Sequence, residues 1–351
     1  MEYRLLGRSG LKVSVLTMGT FTFGGKGAFA MVGRQGAEEA RRLVNLCIDS
    51  GINLFDTSNM YSNGLSEEIL GEALGAKRGE ILISSKARMR IGNGPNDEGV
   101  SRYHLIRECE KSLKRLKTDV IDIYYMHEWD GATPLEEMLH ALDTLVAQGK
   151  IRYIGCSNYS GWHVMKALGV SDRCGRERFV TQQIHYTLEA REAEYELLPI
   201  SVDQGLGVLV WSPLAAGLLS GKHRRNRATP EGSRQFAGWT EPPIRDPDRL
   251  WNIVETLVQI GDSRGVSAAQ IALAWLLERP AVTSLVVGGS NEAQFKDNIA
   301  AVSLKLTDDE RQRLNAISSI PMLYPYWHQQ NFAKDRFSAA DLALHGNSDS
   351  P

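Results

Sequence analysis

The 351-residue chain is 42% hydrophobic and 23% charged, enough apolar material for a large core and without the bias of a disordered chain. A formal charge of −2 leaves no electrostatic footprint for nucleic acid or an anionic membrane, and no run approaches the ~18 apolar residues of a membrane span. Four scattered cysteines (Cys47, Cys109, Cys156, Cys174) form no CxxC pair and have no His at ligand spacing, which argues against a disulfide framework or a metal site and for a reducing, cytoplasmic setting.

In chain order, residues 3–5 and 12–15 flank Gly7-Arg8-Ser9-Gly10 and read as a β-hairpin. Eight strand-like apolar runs follow, at 15–20, 52–57, 81–86, 120–127, 153–157, 181–185, 207–211 and 284–288. Helical spacing separates them: EEARRLVNLCIDSG stops at Gly51, 105–116 repeats apolar residues every three or four positions, and PLEEMLHALDTLVAQGK has Pro134 in its first turn with acids early. A last helix starts after Thr307, an N-cap with Glu310 three residues on.

Alternating strands and helices imply parallel strands with crossover helices. Such a sheet either closes into a (β/α)8 TIM barrel or stays open and doubly wound. The count of eight, with a hairpin placed to plug the barrel bottom, favours closure into one α/β domain over 1–351. After the seventh strand, 222–247 is polar with Gly and Pro and reads as a long loop over the mouth, its basic run 222–227 as a solvated segment. The tail from about 320 to 351 starts aromatic, which suits packing, and ends polar; its last ten residues are expected not to pack.

In a parallel barrel the C-terminal strand ends face the mouth, where active sites sit. Here the apolar runs end in Asp56, Lys86 and His127, with Tyr61 on the loop after Asp56. Singly, each has a bland reading as a helix cap, a solvated cation, a loop histidine or an edge tyrosine. Together they form a chemical unit. A phenol near pKa ~10 is a poor proton donor at neutral pH, an adjacent ammonium lowers that value, a carboxylate holds the ammonium, and an imidazole hydrogen-bonds the substrate oxygen.

FDTSNMYSNGLSEEILGEAL, ISSK, DIYYMH, GCSNYSGW, QIHYTLEAREAE, VWSPLAAGLLSGK and GGSNEAQFKDNIAA, in that order over residues 3–317, resemble the aldo-keto reductases, including the bacterial and potassium-channel β-subunit-like branches. The resemblance implies the barrel, NAD(P)(H)-dependent interconversion of a small-molecule carbonyl and alcohol without a metal, and a catalytic tetrad of Asp56, Tyr61, Lys86 and His127. It assigns Ser157, Asn158, Gln183 and Trp211 to the nicotinamide end of the cofactor. Ser212, Pro213, Leu214, Ala215, Gly217 and Lys222 fall to the pyrophosphate loop, Gly288, Ser290, Gln294 and Asn298 to the adenosine end, and Thr20 and Phe21 to the ribose side.

No strand-linked GxGxxG is present, so a Rossmann reading is weak. Many family members carry an Arg where Gln294 stands, to grip the 2′-phosphate of NADPH; Lys222 and Arg234 are the remaining phosphate partners here. NADP(H) is favoured, with NAD(H) as the alternative. For substrate, Phe21, Phe23, Met31 and Trp129 suggest an apolar mouth, whereas Glu128 and Asp130 beside Trp129 suit a hydroxylated, sugar-like compound. The rival function is a nicotinamide-sensing regulatory subunit, against which His127 is retained where such members commonly replace it. Nothing in the pattern sets an oligomeric state.

Overall fold

The computed structural model describes residues 1–345. A hairpin of β1 (Tyr3–Leu5) and β2 (Lys12–Ser14) precedes eight parallel strands: β3 (Leu16–Gly19), β4 (Leu54–Asp56), β5 (Leu82–Ala87), β6 (Ile121–Met126), β7 (Ile151–Ser157), β8 (Thr181–His185), β9 (Gly207–Trp211) and β10 (Val282–Val287). They pair in sequence order, and β10 returns to β3, closing a (β/α)8 TIM barrel. The open doubly wound alternative is thereby excluded. The predicted strands all form, with ends displaced by at most two residues.

The barrel's helices are α1 (Ala37–Asp49), α2 (Leu65–Leu74), α3 (Arg102–Leu116), α4 (Leu135–Ala147), α5 (Gly161–Cys174), α6 (Leu197–Gln204), α7 (Pro247–Arg264), α8 (Ala268–Leu277), α9 (Glu292–Ala300) and α10 (Asp308–Ile317). Their ends obey local chemistry. Gly51 follows α1 at φ +84°, the left-handed form that glycine adopts without a Cβ penalty. Thr307 and Glu310 form a reciprocal capping box at α10. Pro134 differs from expectation by one position: it is the N-cap of α4 rather than part of its first turn.

Period-two alternation divides the strand residues between two environments. Phe55, Ile83, Tyr124 and Ile154 pack outward against the helices. Leu54, Ile123, Tyr125, Leu209 and Val286 fill the interior, where Leu6 and Val13 of the hairpin region close the bottom. Arg8 N–H bonds to the Gly205 carbonyl, and Arg4 donates to the carbonyls of Leu277 and Val282, so the plug is hydrogen-bonded in place. Gly155 makes room for this filling: a Cβ there would stand 2.6 Å from the Tyr125 ring.

The 222–247 segment is irregular, as expected, but its basic run is tied down. Arg224 pairs with Glu255, and Arg225 bonds Asp248 and Asn252, all on α7. The tail contains two short helices that were not anticipated, α11 (Tyr326–Phe332) and α12 (Ala339–His345). Tyr326 stacks on Tyr195 at 5.4 Å, and α12 packs on α6 with Ala343, Leu344 and His345 buried. The expected loose end is therefore packed as far as residue 345; residues 346–351 lie outside the described residues. No described helix is long and apolar enough to cross a membrane.

Candidate active site

The inward phase of β4, β5, β6, β8 and β9 carries Asp56, Lys86, His127, Gln183 and Trp211 to one end of the barrel. Buried Lys86 Nζ lies 2.5 Å from Asp56 Oδ2 and also donates to the Thr57 carbonyl at 2.9 Å. The other Asp56 oxygen accepts from Ser84 Oγ at 2.6 Å and Gln183 Nε2 at 3.0 Å. Every oxygen of the buried carboxylate is thus used, the condition under which a buried ion pair is tolerable.

Tyr61 follows Asp56 on a tight turn in which Ser62, Asn63 and Gly64 all have positive φ. Ser62 Oγ donates to the Phe23 carbonyl and accepts from Gly25 N–H, holding the two non-glycine residues in this sparsely populated form. The turn sets the Tyr61 ring 5.1 Å from Lys86 Nζ and 5.8 Å, edge-on, from the His127 ring. The predicted tetrad is one cluster.

Its electrostatics differ from expectation in one respect. Burial pushes the Tyr61 phenol above its ordinary value of 10.0; Lys86 pulls the other way without cancelling the rise, while Asp56 and Glu241 add to it. The expected net lowering is absent because desolvation outweighs the neighbouring ammonium. For Lys86, burial favours loss of the proton, but Asp56 and Tyr61 outweigh it and hold the ammonium above 10.5. Burial, then the Lys86 charge, drives His127 well below 6.5, so it is neutral at physiological pH.

Burial also lowers His104 and His185. Each of these three histidines must gain a proton when the chain unfolds below pH 6.5. Their contribution to stability is therefore fully present above 6.5 and lost as pH falls toward the depressed folded values. Unfolding free energies from urea titrations should fall between roughly pH 7 and 5, by up to about 1.4 kcal/mol per pH unit for each histidine, and the midpoints with them. A midpoint that rose on acidification would contradict this.

Of the predicted cofactor residues, Thr20, Ser157, Asn158, Gln183 and Trp211 are bonded to the tetrad or to one another. Asn158 donates to the His127 carbonyl at 3.1 Å and accepts from Trp211 Nε1 at 3.0 Å; Ser157 Oγ donates to the Gln183 carbonyl at 2.8 Å. Ser212, Pro213, Leu214, Ala215 and Gly217 form a turn with four positive φ values, at Ser212, Ala215, Ala216 and Gly217. Gln294, in the first turn of α9, turns its amide oxygen onto Ser290 N–H at 2.8 Å, and Asn298, near the far end of the same helix, donates back to the Gly288 carbonyl. Thr20 is fully buried and bonds the Asp56 carbonyl and Ser66. Lys222 is exposed.

Arg234 is placed unexpectedly. Its guanidinium lies 5.2 Å over the Phe21 ring, close enough to Tyr61 to feel it, and so stands at the catalytic end. One substrate expectation needs correction too. Phe23 is 0% exposed within the hydrophobic core and offers no face to a ligand. Trp129 stacks on His163 at 3.9 Å and contacts Tyr159 and Trp162; its ring partners are on the α5 side and do not include Tyr61 or His127. Asp130 accepts from Val100 N–H, Ala132 N–H and Thr133 Oγ1, a structural role.

The aromatic wall is built instead by Phe21, which meets Tyr61 at 5.3 Å, Phe29 at 5.1 Å and Trp239 at 5.5 Å. Sequence reasoning missed Phe29 and Trp239. The available signal was a lone tryptophan inside the long polar loop. Ser58, whose Oγ is 3.2 Å from His127 Nδ1, was also missed. Among the described residues no His, Cys, Asp and Glu cluster could hold a metal.

Comparison with known proteins agrees with this geometry. The aldo/keto reductase family profile matches residues 15–319. A probable voltage-gated potassium channel subunit beta of Arabidopsis thaliana is 38% identical over 312 residues, covering 87% of this chain and 92% of that protein. The uncharacterized oxidoreductase YrpG of Bacillus subtilis is 37% identical, covering 90% and 96%. The versiconal hemiacetal acetate reductase of Aspergillus parasiticus is 33% identical, covering 90% and 96%. With its closed barrel and this match over most of its length, the chain belongs to the aldo/keto reductase family of oxidoreductases.

Proposed function

We propose that this protein is an NADP(H)-dependent reductase that interconverts an aldehyde or ketone and its alcohol, with Tyr61 as the general acid in reduction. The observation that carries the reading is the contiguous Asp56–Lys86–Tyr61–His127 cluster at the barrel mouth. The residues present fit a dinucleotide. Arg234 and Lys222 are cations with no carboxylate partner among the described residues, and the 212–217 turn has the positive-φ backbone of anion-binding hollows. Trp211 provides an aromatic face for the nicotinamide, beside Ser157, Asn158 and Gln183. Arg234, over Phe21, suits the pyrophosphate or its ribose better than a 2′-phosphate beside Gln294.

When bound, the reduced nicotinamide supplies hydride to the carbonyl carbon. Tyr61 and His127 hold the carbonyl oxygen between them. A phenol kept above 10 remains protonated at neutral pH, yet an alkoxide is the stronger base, so Tyr61 gives up its proton as charge grows on oxygen. Lys86, fixed by Asp56, stabilises the phenolate left behind. In oxidation the same groups run in reverse.

Phe21, Phe29 and Trp239 favour an aromatic or otherwise bulky carbonyl, and the structural use of Asp130 weakens the sugar-like alternative. A carbonyl panel tests this: 4-nitrobenzaldehyde should outperform an aldose by kcat/KM, and the reverse order would overturn the assignment. Cofactor choice has its own test. Gln294→Arg adds a charged fork where a 2′-phosphate would lie, and should raise the NADPH-over-NADH affinity ratio about tenfold by fluorescence titration. No change in the ratio would place that phosphate elsewhere.

The second reading, a nicotinamide-sensing regulatory subunit, is favoured by relatives named as potassium channel beta subunits. It predicts tight NADPH binding without turnover on any carbonyl or alcohol of the panel.

A further inference from the structure

We infer that Ser58 sets the tautomer of His127 and thereby makes its Nε2–H a hydrogen-bond donor toward the substrate oxygen. The inference deepens the reductase reading and rests on it. Ser58 is fully buried, and its Oγ has two partners: His127 Nδ1 at 3.2 Å and Met60 N–H at 3.4 Å. A backbone N–H can only donate, so toward Met60 the hydroxyl is an acceptor. A second lone pair could accept from Nδ1 as well, but the buried hydroxyl has no other acceptor among the described residues, so its proton is bonded only if it is donated to Nδ1.

A neutral imidazole carries one N–H, and a nitrogen that accepts must be the bare one. With Nδ1 accepting from Ser58, the ring proton resides on Nε2. That nitrogen has no protein partner among the described residues, and the ring lies edge-on to Tyr61 at 5.8 Å. The opposite tautomer would turn a bare Nε2 lone pair toward the carbonyl oxygen and repel it.

The hydroxyl is held where it must be. Thr57 N–H bonds the Ser84 carbonyl, and Asn59 N–H bonds the Lys86 carbonyl, so the backbone on both sides of Ser58 is pinned to β5. His127 is fixed in turn: its N–H bonds the Ala87 carbonyl and its own carbonyl accepts from Asn158. One short loop thus supplies a carboxylate at 56, a hydroxyl at 58 and a phenol at 61, and Ser58 acts as a positioning residue through His127.

Nitrogen-15 NMR of histidine-labelled protein reads the tautomer directly, with His127 assigned by its loss in His127→Asn. In the unaltered full-length protein the proton should sit on Nε2, with Nδ1 bare. Ser58→Ala should mix the tautomers and lower kcat about three- to tenfold, with NADPH affinity unchanged, while Ser58→Thr, which keeps the hydroxyl, should restore both. A proton on Nδ1 in the unaltered protein overturns the inference even if Ser58→Ala fails to fold. So does a Ser58→Ala protein that keeps both spectrum and kcat. Absence of carbonyl or alcohol turnover in the unaltered protein would instead remove the reductase reading, and the two failures are distinguishable because the nitrogen spectrum reports the tautomer without any turnover.

Discussion

Tyr61→Phe is expected to lower kcat for aldehyde reduction by about 10²–10⁴-fold, the range typical of a lost general acid. NADPH affinity should stay within about twofold. The substitution removes one hydroxyl and leaves the ring, whose edge contacts with Phe21 and His127 hold it in place. Without the phenol proton, the growing alkoxide faces only the His127 N–H and the Lys86 charge, neither of which restores the transfer. Steady-state kinetics paired with a fluorescence titration separates the two effects. A Phe variant with near-normal kcat would remove Tyr61 from the chemistry.

Lys86→Met should be damaging twice over. The ammonium is wholly buried, and its removal leaves the Asp56 carboxylate buried without its charge partner. Breaking such a pair destabilises by about 3–5 kcal/mol, and the phenolate formed at Tyr61 loses its stabilising cation, so turnover should fall at least about a hundredfold. The combination Asp56→Asn/Lys86→Met removes the pair whole. It should regain much of the stability in urea titrations but none of the activity. A single Met variant as stable as the parent would show that the pair is not structurally important.

The parts of this molecule that were legible in its sequence are those governed by period. The apolar run at 120–127 gave the strand, its end gave the placement of His127, and the count of eight gave the barrel. The ionisable residues at strand ends were visible because they interrupt apolar runs. What escaped was set by distant contacts. Phe23 has the residue type of a substrate wall, yet it is taken into the core. Phe29 and Trp239 line the mouth only because two loops far apart in sequence meet over Phe21. The sign of the Tyr61 shift was misjudged for a related reason: a neighbouring lysine can be read from spacing, but the desolvation that outweighs it depends on how the loops close. Helices α11 and α12 escaped because each is only seven residues long, held by packing rather than by pattern.

The most direct test is a single turnover. A preformed complex of the protein with NADPH is mixed with 4-nitrobenzaldehyde, and the nicotinamide fluorescence is followed. The account predicts that it decays to the oxidised baseline with the unaltered protein and persists with Tyr61→Phe. Equal decay in both proteins, or a bound nicotinamide that stays reduced in the unaltered one, would contradict it.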